Sequence, residues 1–91
     1  MHDPVLLTLH ERLEAYITSV STLRSFHEWF VPNVLGPIED LTDDQTIVRL
    51  VYAVELRLSE HDDGIWTERA LKRELRHLLH TASKTLQLAT A

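Results

Sequence analysis

The chain contains no cysteine, two glycines and three prolines in 91 residues. The missing cysteines exclude a disulfide framework, a thiolate metal site and a cysteine nucleophile. They favour a reducing compartment, because small secreted domains usually staple themselves. So few turn residues argue against an all-β fold, which needs many tight reversals. No apolar run approaches the length of a membrane span. No basic segment followed by an apolar run and a cleavage site marks a signal peptide, so a cytoplasmic, soluble protein is expected. Excess positive charge is also missing: the formal net charge is −5. General affinity for nucleic-acid phosphates or anionic lipid is therefore disfavoured.

What is present is helical periodicity. Asp3-Pro4 reads as a cap and first helical position, followed by a stripe of Leu6, Leu9, Leu13, Tyr16, Ile17 and Val20. Ser21 is a plausible cap for a second helix carrying Leu23, Phe26, Trp29 and Phe30, which Pro32 kinks or ends. Pro32 to Pro37 reads as a bend, with Val34, Leu35 and Ile38 tucked under the helices. Thr42-Asp43-Asp44-Gln45 fits a capping box opening the third helix. That helix has one stripe of Ile47, Leu50, Val51, Val54 and Leu58, and a second of Val48, Tyr52 and Leu56. Gly64 suits a left-handed helix end, and Thr67 caps a fourth helix with Leu71, Leu75, Leu78, Leu79 and Ala82 inside. The expectation is an all-α, compact antiparallel four-helix bundle over residues 1–82, with a frayed tail over 83–91.

Charge is unevenly placed. Residues 1–68 carry 13 acids and 4 bases, whereas residues 69–91 carry 5 bases and 1 acid. Glu39, Asp40, Asp43 and Asp44 crowd the entry to the third helix, and Glu60, Asp62 and Asp63 crowd its exit. Each acid has a plain use in capping and solubility. Together they offer a surface that steers and orients a basic partner, with Trp66 or Trp29 as an apolar anchor unless those rings pack inside. Arg69, Lys72, Arg73, Arg76 and His80 share a ridge of the fourth helix, either solvated, paired with acids, or available to phosphates.

Signs of chemistry are sparse. His77 and His80 stand three apart without a third ligand at a recognisable spacing, and Asp62-Asp63-Gly64 lacks the rest of a calcium loop. There is no glycine-rich phosphate loop and no nucleophile elbow. No catalytic residue, metal or cofactor is expected.

Two segments carry a resemblance. Phe26-His27-Glu28-Trp29-Phe30 follows a short capped turn, and Glu55 to Gly64 leads into a capped helix with Glu68, Leu71 and Leu75. Over roughly residues 13–79 this resembles a group of small bacterial helical proteins similar to the colicin D immunity family. The resemblance implies a four-helix bundle that neutralises a toxic, basic, RNA-cleaving partner by presenting acidic residues to its active site. The leading expectation is a small acidic protein-binding module, with Glu39, Asp40, Asp43, Asp44, Glu60, Asp62, Asp63 and Trp66 as its contact residues. The alternatives are a module that self-associates through the third helix and, less favoured, nucleic-acid binding through the basic ridge.

Overall fold

Pro4 opens the first helix, α1 (Pro4–Ile17), where its missing N–H leaves no hydrogen bond unmade. A computed structural model describes residues 4–90, and side chains over 7–81. The Asp3 cap and the inward position of Leu6 lie outside the described residues, as do the side chains of Ala82 and of the expected tail. Leu9, Leu13, Tyr16 and Ile17 are buried as the periodicity predicts. Val20 is not: it is 80% exposed. The reason is a reversal at Ser19, whose φ of +66° stops the helix. The amide of Val20 reaches back to the Ala15 carbonyl at 2.8 Å, and that of Ser19 to Tyr16 at 3.0 Å. Such an ending normally recruits glycine.

Helix α2 (Leu23–Phe30) is capped by Thr22, whose side chain accepts from the Ser25 amide; the cap is one residue later than expected. Buried Phe26 and Phe30 stack at 5.3 Å, and Phe26 meets Tyr16 of α1 at 6.2 Å. Pro32 has no amide to continue the α ladder. The chain widens into a π-helical segment, Val31–Leu35, closed by the Gly36 amide on the Val31 carbonyl at 2.9 Å. The Asn33 side-chain amide donates to the Trp29 carbonyl at 2.8 Å, satisfying an acceptor at the change of ladder. One further turn, α3 (Ile38–Leu41), is held by Ile38, which is 1% exposed. The expected second helix and its bend are thus three helical pieces. The described chain has five α-helical segments and one π segment where four helices were expected.

Helix α4 (Gln45–Asp62) begins at Asp44, which accepts from the Thr46 amide at 2.9 Å; Thr42 accepts from the Asp44 amide, outside the helix, at 3.1 Å. Its inward stripe is Ile47, Leu50, Val51, Val54 and Leu58. In the second stripe only Val48 is buried, while Tyr52 and Leu56 are 47% and 54% exposed. Gly64, at φ +83°, ends α4 by the same device as Ser19: Ile65 reaches the Glu60 carbonyl and Gly64 the His61 carbonyl. Thr67 then caps α5 (Glu68–Thr90) by accepting from the Ala70 amide at 3.2 Å. Leu71, Leu75 and Leu79 of α5 close the core against both α4 and α1. The fold is all-α, and no described helix is long and apolar enough to cross a membrane.

Candidate functional site

The acidic residues read from the sequence fall into two groups that the fold keeps apart. They flank α4, whose 18 residues at 1.5 Å each separate its ends by about 26 Å.

At the entry, buried Ile38 pins α3 inward, so its neighbours Glu39 and Asp40 face solvent. Leu41, 42% exposed, lies between them and exposed Asp43. Asp44 is committed to the cap of α4. None of Glu39, Asp40, Asp43 or Asp44 forms an ion pair among the described residues. Among the described residues the corner is therefore an acidic surface free of ion pairs, with an exposed leucine in its midst.

At the exit, Glu60 is bound internally. Its Oε1 accepts from Arg57 at 2.5 Å and from the Trp66 indole at 3.3 Å. The hydrogen bond from Arg57, then that from Trp66, holds its carboxyl below the usual glutamate value of 4.5. The Arg57 guanidinium lies 5.8 Å from the Trp66 ring, and His61 Nδ1 contacts the Trp66 carbonyl at 2.7 Å. Trp66 is half-buried and packed on the core, so it fastens the α4–α5 turn instead of standing proud as an anchor. Trp29 also packs on the core, under Arg12 at 5.1 Å. Asp62 and Asp63 remain exposed.

No protein-family model, curated protein or solved structure matches the chain.

The basic ridge divides along its length. Lys72 Nζ donates to Ser19 Oγ at 2.8 Å, sits 5.0 Å from the Tyr16 ring and lies 3.9 Å from Glu68. Arg76 reaches Glu14 at 4.0 Å. These two tie α5 to α1. Arg69 and Arg73 are exposed and pair with no acid among the described residues. His77 and His80 are exposed, and no group of three or more metal-ligating side chains comes together among the described residues.

The sequence reading missed a groove between α2 and the C-terminal half of α4, bordered by Leu23, His27, Glu55, Leu58 and His61. The Glu55–Ser59 spacing of one helical turn was visible in the chain, but the approach of α2 to that turn was not.

Proposed function

We propose that this chain is a small acidic module that acts by binding a basic protein, in the specific form of an inhibitor or immunity protein for a nuclease-type partner in the cytoplasm. The supporting observation is the α3–α4 corner, where Glu39, Asp40 and Asp43 stand around an exposed Leu41 and form no ion pair among the described residues. Such carboxylates raise the encounter rate with a cationic surface and fix its orientation, while the leucine supplies apolar contact. The resemblance read in residues 13–79, to small bacterial helical proteins similar to the colicin D immunity family, suggests the same, as does the acidic balance of residues 1–68. The same reading takes α1, α2 with its π extension, α4 and α5 as the four members of an antiparallel bundle. The test is co-purification from the native host, followed by titration of the complex with salt. A one-to-one complex with a basic protein is expected, weakening steeply between about 50 and 500 mM salt as screening shortens. It should also weaken when Glu39, Asp40 and Asp43 are changed together to their amides. Recovery of no basic partner would overturn the proposal.

A second reading is self-association through α4, favoured by the outward Tyr52 and Leu56. Sedimentation at tens of micromolar, on the order of the affinity expected of a functional dimer, should then show dimers that Leu56→Glu dissociates. Nucleic-acid binding through α5 has weaker support, since Lys72 and Arg76 are turned to α1. Charge reversal at Arg69 and Arg73 should leave retention on RNA or DNA unchanged.

A further inference from the structure

We propose that the groove between α2 and α4 receives an arginine side chain of the basic protein partner; this rests on the reading of the chain as a binder of such a protein. The groove has a volume of about 460 Å3. Leu23 of α2 and Leu58 of α4 give it apolar walls, and its polar lining is rich in hydrogen-bond acceptors. The Glu55 carboxylate accepts from the Ser59 hydroxyl at 3.1 Å through Oε1, while Oε2 is buried with no hydrogen-bond partner. An oxygen shielded from water without a donor is unfavourable, and a donor entering beside it relieves the cost once the carboxylate turns to meet it. His61 supplies a further acceptor. Its Nδ1 faces the Trp66 carbonyl, which can only accept, so Nδ1 is the donor there, and in the Nδ1–H tautomer Nε2 is the acceptor. Asp62 adds a second carboxylate to the lining.

One lining group bears the opposite sign. Arg24 lines the groove, but its guanidinium is drawn along α2 to Glu28 at 3.0 Å and is largely in solvent. His27 is exposed at the rim. The unmet demand is for several N–H donors on one cation, carried on an aliphatic stem that can lie against leucine. A guanidinium meets it with five donors in one plane and sheds water more readily than a compact ammonium. The groove thus turns general charge attraction into a fixed point of attachment.

The test is a titration of the isotopically labelled full chain, followed through its amide resonances, with acetyl-arginine amide up to about 50 mM, a range suited to a single weak contact. Saturable shifts at Leu23, His27, Glu55 and His61 are expected, with none from the citrulline counterpart and weaker ones from the lysine counterpart. Glu55→Gln should weaken binding about tenfold, the size of one charge-assisted hydrogen bond. His27→Arg, at an exposed position where folding is not at stake, should abolish binding by placing a competing cation at the rim. Failure of both variants to alter the shifts would overturn the groove assignment, as would no shift at all. Shifts confined to Glu39, Asp40 and Asp43 would overturn it too, while leaving the basic-partner reading standing. Agmatine binding tighter than acetyl-arginine amide by tenfold or more would point to a small-molecule site and also count against the inference.

Discussion

Tyr16 carries an unusual burden for a single residue. Its ring fills the junction of α1, α2 and α5, yet its hydroxyl is buried without a hydrogen-bond partner. Burial first, and the charge of Glu68 second, push the phenol from 10.0 up to about 12. Because the folded value is the higher one, the stabilising effect is complete below pH 10 and is lost as pH rises from 10 towards 12. Tyr16→Phe should therefore remove part of the alkaline unfolding seen by urea denaturation at pH 11. At pH 7 it should leave stability within about 1 kcal/mol of the parent or raise it, since an unsatisfied polar atom goes with the hydroxyl. Glu60 gives the opposite sign. Its lowered folded value means that its stabilisation is present above 4.5 and lost as pH falls through the folded value. Glu60→Gln should flatten the acid limb of the stability curve, measured by thermal melts through that range. The sequence marks Glu60 as acidic surface but does not reveal its engagement. Arg57 is legible as a partner at helical spacing, whereas Trp66 reaches Glu60 only because Gly64 turns the chain back.

At the scale of elements, the helix ends separate what spacing predicts from what it does not. Buried stripes follow from a period of 3.6 residues, and the inward leucines of α1 and α5 were readable on that basis alone. Ends depend on individual backbone angles, so Thr22 takes the cap expected of Ser21, and Asp44 caps α4 within the segment read as a capping box. Ser19 escapes notice because only glycine advertises a left-handed turn, and the π segment because proline announces an interruption but not how the ladder recovers. Asp44→Ala should cost about 1 kcal/mol, the usual value of a lost cap, measured by urea unfolding. Gly64→Ala should cost a similar amount, about 1 kcal/mol, purely through backbone strain, since an added methyl there meets no atom within 4 Å.

For the whole molecule, acidic and basic residues are segregated along the chain, and the segregation was plain from residue counts. Its spatial outcome was not. The two acidic groups end up at opposite ends of α4, and part of the basic ridge is spent joining α5 to α1. Leu75→Ala, at the centre of that closure, should destabilise the protein by about 2–5 kcal/mol in urea, a larger effect than any of the surface changes above. The position of α5 also has a consequence for synthesis. It is the helix against which both α1 and α4 close, and it is translated after them. A nascent chain still emerging from the ribosome must hold Leu9, Leu13, Val51 and Val54 without their final cover until Leu71 to Leu79 clear the exit tunnel. That interval exposes the chain to chaperones and to aggregation.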